Sequence, residues 1–470
     1  MPPSGSNTST PFDWLMPRVY VSQILCFPAS DHGSFEALKE GLRGTVQDLP
    51  YLLGGVTTQD VPRGSLRLTD PYQAVDDLIS WEDLYGSLDY ALLKAGHFPP
   101  SSLVNPAIRP PDTIPPLKSP APVLRARLSS VRGGALLCVA VHHSTTDITG
   151  IGALLKLWAA HVRTRSSAAA QFDRSWYDRD VVCGMAAMAA DNAAPVDEVP
   201  SLIHVIKSDE QSLAKKNIPN DAVYVTKILH FPHALMQELK TAVNEQVRSL
   251  QGTVEWVSTG DVLTAILWSA TVWMKEIGSD DEKTGLCTIA IPANFRAQLS
   301  PAVPQNYLGS AFAMTLASAT RNDLLCASKG GLSTDGSLPH ESMSSLARIA
   351  SAVRSSLGRV NDASVKQVLR FVTSRSDITP IKFAPRHNGI SLVSWADEGV
   401  YELEWGDALG RCDAVRLPRM TAKRDPIVLP RVPAAEGRPA GLEVIASYDE
   451  EVMERFCRNP LIRRFGTVRC

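Results

Sequence analysis

The run Leu136-Leu137-Cys138-Val139-Ala140-Val141 ends abruptly in His142-His143, with Asp147 four positions beyond His143 and Gly150 three further on. An unbroken apolar stretch rich in β-branched residues reads as a strand buried on both faces. Leu154, Leu155, Leu157, Trp158 and His161 then recur at helical spacing over 151–162. The spacing predicts a buried strand, a tight exit loop and a helix in succession. That order carries a histidine to the mouth of a core, where an imidazole can serve as a general base.

The chain has 470 residues, too many for one ordinary core, so two or three domains are expected. Its net charge of -2 makes no electrostatic claim on nucleic acid or an anionic membrane. No apolar stretch approaches the roughly 20 residues that span a bilayer. Residues 1–11 are rich in Ser, Thr and Pro and lack the basic-then-apolar order of a signal peptide. The eight cysteines are scattered, without a Cys-x-x-Cys pair, and several sit in apolar runs as small hydrophobes. A soluble, monomeric protein of the reducing cytoplasm is the expectation.

Along the chain, a strand is expected at 18–27 and a helix at 34–46, with Asp31 or Ser34 as its cap. Residues 97–122, dense in proline, read as a long surface loop. A hairpin through Arg132-Gly133-Gly134 leads to the histidines. Composition shifts over 163–215, and the second half then alternates strands (223–231, 286–292, 390–395, 427–430, 442–448) with helices (232–248, 262–273, 342–357, 449–458). The expected division is an N-terminal domain over 1–165, a crossover over 166–215 and a C-terminal domain over 216–470.

Blander readings of the histidine pair exist. Both rings could be structural, satisfied by backbone. A His and an Asp one turn apart could hold a metal, but no third ligand stands at a telling distance, so no metal is expected. Gly150-Ile151-Gly152 lacks the third glycine of a dinucleotide loop. There is no Gly-x-Ser-x-Gly elbow and no P-loop. A histidine without a visible nucleophile points to a nucleophile supplied by the substrate. Arg411, Arg416, Lys423 and Arg424 form a basic set that could meet the phosphates of a cofactor but reads more readily as solvated surface.

Further motifs accompany the pair. His143-Ser144-Thr145-Thr146-Asp147 resembles the HxxxD motif of the BAHD acyltransferases, and Asp147-Ile148-Thr149-Gly150 the DxxG form of fungal members. Ser258-Thr259-Gly260-Asp261-Val262-Leu263-Thr264-Ala265 is similar to the family's StnDxLtA helix. Arg296, with Asn306-Tyr307-Leu308-Gly309 after it, resembles the family's arginine and NYxGN segment. Ser394-Trp395 and Glu404-Trp405-Gly406 stand where SSW and DFGWG are expected. Met16-Pro17-Arg18-Val19-Tyr20 looks like the start of the fungal trichothecene O-acetyltransferase branch. The matches run in order from about residue 12 to 455.

The resemblance implies an α/β fold of two chloramphenicol-acetyltransferase-like domains with a substrate channel at their interface. It implies an acyl-CoA co-substrate, acetyl-CoA in the simplest case, and a small-molecule alcohol or amine acceptor from secondary metabolism. His143 would be the general base, Asp147 a structural partner salt-bridged to Arg296, and Ser258, Ser394 and Trp395 substrate- or cofactor-binding. Trp395 and Trp405 also read as core. The glycine usual after the aspartate is Ile148 here, and Asp407-Ala408-Leu409 displaces the second aromatic of DFGWG, which leaves the oxyanion donor unassigned. Two other classes stay open: a cyclisation or rearrangement on the same fold, or a catalytically silent binding protein.

Overall fold

The computed structural model describes residues 9–28, 32–114, 116–164, 172–191, 198–206, 223–250, 252–276, 285–329, 338–385, 390–418, 424–435 and 438–470. Asp31, Lys423 and parts of the crossover (166–171, 192–197 and 207–215) lie outside them.

The strand Gly134–His142 is buried at all nine positions. It lies at the centre of a five-stranded sheet ordered Ala414–Arg416, Tyr20–Phe27, Gly134–His142, Leu124–Val131, Ile79–Asp83. The turn into it needs Gly133, at φ 77°, because a side chain there would strain the left-handed backbone. Helices His32–Asp48 and Ile148–Thr164 cover one face, and Leu38, Leu42, Leu154, Leu155 and Trp158 share a core with Leu137 and Val139.

Residues 97–122 do more than skirt the surface. Proline starts two short 3₁₀ turns there, Pro100–Leu103 and Pro106–Ile108. Between them they deliver Leu103 and Ile108, with Phe98, onto Ile24, Cys26, Leu136 and Cys138 on the sheet's other face. The stretch has no period because its elements are two short 3₁₀ turns and a two-residue strand, Ala121–Pro122, yet it seals the sheet.

The second half builds two more sheets. One runs Val393–Ser394, Arg424–Val428, Gly441–Asp449, Tyr224–Pro232, Thr467–Val468; the other runs Phe312–Thr320, Leu286–Asn294, Ile390–Ser391. Helices Thr259–Glu276 and His340–Gly358 pack between them, with Leu267, Trp268, Leu346 and Val353 in one core with Ile289 and Val444.

The strand Ala414–Arg416 crosses back to the first sheet, pairing Cys26 with Ala414 and Ile24 with Arg416. Arg416 is therefore not the solvated cation that composition suggested. It is 2% exposed, donates to Glu443 at 2.7 Å and to the His97 carbonyl at 2.7 Å, while Arg469 donates to the other Glu443 oxygen at 2.8 Å. A buried guanidinium survives because a carboxylate from the neighbouring sheet neutralises it. That link joins the two halves of the fold.

Candidate active site

The two histidines part company at the strand end. His142 is 1% exposed, edge-on to Tyr20 at 5.3 Å, and its Nδ1 accepts the Ser144 N–H at 3.2 Å. It caps the 3₁₀ turn His143–Thr145. Burial, with the neighbouring His143 and Arg18, pushes its pKa down to about 4, so it is neutral and structural.

His143 is half-buried. Its backbone N–H donates to Val19 at 2.8 Å, and its Nδ1 lies 3.1 Å from the Thr146 carbonyl. A carbonyl can only accept, so Nδ1 carries the proton and Nε2 presents a lone pair. Among the described residues, nothing hydrogen-bonds Nε2. Burial lowers the pKa from 6.5, only partly countered by the Thr146 bond. The imidazole is neutral at pH 7.

Asp147 turns the other way. It is 3% exposed, and Arg296 grips it with a two-pronged fork, Nη1 to Oδ2 at 2.9 Å and Nη2 to Oδ1 at 2.8 Å. The backbone N–H groups of Gly150 and Ala311 donate to the same oxygens at 2.9 and 2.8 Å. Four donors saturate the carboxylate, leaving no lone pair for a substrate. Arg296, 1% exposed, also donates to the carbonyls of Tyr307 at 2.8 Å and Gly309 at 3.2 Å. The structure thus ties the loop after His143 to the 304–311 segment of the second half.

The two glycines at the start of helix Ile148–Thr164 have a packing reason. A Cβ at Gly150 would collide with Thr146 Oγ1 and stand 3.1 Å from the Leu308 carbonyl; one at Gly152 would meet Glu398 Cγ and O at 2.9 Å. They are bare so that backbone from the second half can rest on the helix.

Sequence reasoning missed Arg179 and Asp13. Arg179, 1% exposed, donates to the Thr145 carbonyl at 2.7 Å and lies 3.4 Å from Asp13, whose carboxylate accepts the Ser310 N–H at 3.0 Å. The pair holds the underside of the loop. Thr10-Pro11-Phe12-Asp13 was the available signal, since it forms a capping box.

The other motif residues lie apart from these contacts. Ser258 bonds to Asp261, its Oγ at 2.9 Å, as the cap of helix Thr259–Glu276. It lines a groove of about 440 Å³ with Lys240, Asn244, Arg248 and Trp256. Ser394 is exposed, and its Oγ accepts the Ala396 N–H at 3.4 Å. Trp395 is not free to face a substrate. It packs with Ile228, Leu417, Ile427 and Ile445 as core. Trp405, 0% exposed, is wedged between Phe27 and Trp158 at ring distances of 5.9 and 5.5 Å, so it cannot reach an oxyanion.

Fold and loop together define an acyltransferase of the BAHD type, with an HxxxD loop fastened across two lobes. The model of the Transferase family matches residues 113–459, and that of the trichothecene 3-O-acetyltransferase-like N-terminal domain matches residues 19–161. The chain belongs to the Transferase family, and its N-terminal part resembles that of the trichothecene 3-O-acetyltransferases. It is 23% identical to O-acetyltransferase ptmV of Penicillium ochrochloron, over 98% of this chain and 96% of that one. The structure of Fusarium sporotrichioides TRI101 complexed with coenzyme A and T-2 aligns with a TM-score of 0.74 at 20% identity, covering 99% of this chain and 100% of that one. Vinorine synthase aligns with a TM-score of 0.61 at 16% identity, over 100% and 96% of the two chains.

Proposed function

We propose that the chain transfers an acyl group, acetyl in the simplest case, from acyl-CoA to a hydroxyl of a small secondary metabolite. The observation that carries this reading is the neutral His143 imidazole, with its Nδ1 proton fixed on Thr146 and Nε2 unclaimed. Both substrates bind together. Nε2 takes the hydroxyl proton as the oxygen attacks the thioester carbonyl; the tetrahedral oxyanion collapses, the C–S bond breaks, and the imidazolium returns the proton to the CoA thiolate. Burial that disfavours the charged ring speeds that return. No acyl-enzyme is required. Hydroxyl rather than amine acceptors are favoured because relatives such as ptmV are named O-acetyltransferases.

The nucleotide end of CoA is assigned to the groove beside Ser258. Lys240 and Arg248 supply cations for phosphate, and Trp256, 57% exposed with the Arg354 guanidinium over one face at 4.3 Å, leaves its other face for a base. Replacing Lys240 and Arg248 by alanine is expected to raise KM for acetyl-CoA roughly tenfold with kcat unchanged. An unchanged KM places the nucleotide elsewhere.

The deciding assay follows CoA release and acyl transfer, with an acyl-CoA panel and a library of small alcohols. Transfer that needs no acyl-CoA would favour a rearrangement instead. The pH profile offers a second check. The base must be unprotonated and its pKa lies below 6.5, so kcat/KM should hold from pH 8 down to 6.5. It should then fall about tenfold per unit below the lowered pKa. An acid limb centred above pH 7 contradicts a buried neutral base.

A further inference from the structure

We infer that Phe312 and Phe383 form the wall against which the acceptor lies, and that the acceptor carries its hydroxyl on a flat, apolar ring system. The inference rests on His143 being the base that takes the acceptor's proton.

The strand Phe312–Thr320 pairs with Leu286–Asn294, Phe312 facing Asn294 and Met314 facing Pro292. Side chains alternate across a strand. Ala317 and Ala319 share a core with Ile289, Ile291 and the two helices beneath, so Phe312 and Met314 point to the other face. Phe312 is half-buried and belongs to none of the described hydrophobic clusters. A large ring without a core to fill, beside a base, has a ligand as its natural partner.

Its neighbours say which ligand. The Phe312 ring stands 6.2 Å from the His143 imidazole with planes only 19° apart. A second ring contact, T-shaped, is with Phe383, at 4.7 Å and 72°. Phe383 packs on the core that includes Phe295 and Val368, so it fixes the tilt of Phe312. Phe312, stacked beside the imidazole and held by the T-shaped contact with Phe383, makes an apolar wall next to the base. A flat molecule laid on it covers Phe312 and brings a ring-borne hydroxyl beside Nε2. The thioester end of CoA, a small acyl group on a flexible polar arm, gains little from a ring face; a polycyclic acceptor gains the stacking preference in full. At the same end Asn294 Nδ2 lies 3.5 Å from Thr149 Oγ1 across the lobes, a polar rim for the acceptor's remaining oxygens.

The test is an equilibrium titration of the full chain, by ligand-observed NMR, with 2-naphthylmethanol, cyclohexylmethanol and CoA as separate probes. Wild type should bind 2-naphthylmethanol about tenfold more tightly than cyclohexylmethanol. Phe312→Leu keeps apolar volume without the flat face and should lose that preference while CoA binding stays unchanged. Phe312→Tyr keeps the ring and should retain it, which separates loss of the face from a folding defect. Equal affinities in wild type, or a preference that survives Phe312→Leu, overturns the inference. So does a Phe312→Leu variant that loses CoA and keeps the alcohol, since the wall then belongs to the donor. The base assignment fails on a different readout, wild-type turnover by His143→Ala, and binding preference does not depend on it.

Discussion

His143→Ala should lower kcat by about 10²–10⁴-fold, the range that general-base catalysis contributes, while leaving the affinity for CoA unchanged. The geometry separates these two effects. Among the described residues, His143 hydrogen-bonds to Val19 and Thr146 and stacks beside Phe312, and neither Asp147 nor Arg296 hydrogen-bonds to its side chain. Truncation therefore removes the base without cutting the fork that fastens the loop. The melting curve should stay within a degree or two of wild type, because a half-buried side chain with one hydrogen bond is lost. His143→Gln is the sharper control, since it can donate to the Thr146 carbonyl but offers no base. It should be as slow as alanine. Wild-type turnover in either variant would transfer the chemistry to another group. His142→Ala should behave in the opposite sense, losing stability through the uncapped turn while any folded fraction keeps its rate per molecule.

What could be read from the sequence was the part governed by local pattern. The apolar run into His142-His143, the turn at Gly133 and the amphipathic face of 151–162 each follow from neighbours within a few residues, and the structure has them. Arg296 could be named as the partner of Asp147 only through the family resemblance, because 149 positions separate them and no local rule spans that distance. The same limit hid Arg416. In a window of ten residues it belongs to a basic set, and only the pairing of 414–416 with 24–26 shows it buried against Glu443. Phe312 was illegible for a different reason. It opens a run of small residues whose strand phase, and hence the face it points from, is set by register with Leu286–Asn294. Residues 97–122 escaped because their apolar side chains are spaced by proline turns rather than by a period.

Asp147→Asn should destabilise the protein by about 3–5 kcal/mol, seen as a fall in Tm of roughly 3–10 °C for a chain of this size, and should cut activity alongside. The carboxylate accepts four hydrogen bonds with no room for a substrate, so its effect on rate must pass through the loop that carries His143. An asparagine keeps the shape, but its NH₂ faces a donor at one of the two prongs, and Arg296 is left as an uncompensated charge at 1% exposure. Arg296→Met alone should cost about as much by orphaning the carboxylate instead. Asp147→Asn combined with Arg296→Met removes both charges, and apolar or neutral replacements of buried ion pairs are often close to neutral in stability. The double variant should therefore recover much of the Tm, which requires a coupling energy at least as large as either single loss, about 3–5 kcal/mol or more. Its kcat should stay low, because neither side chain can then hold Gly150, Ala311, Tyr307 and Gly309 on one anchor. Additive losses, or an unchanged Tm in the single variants, would mean that the bridge does not carry the junction between the lobes, and Asp147 would have to act on substrate after all.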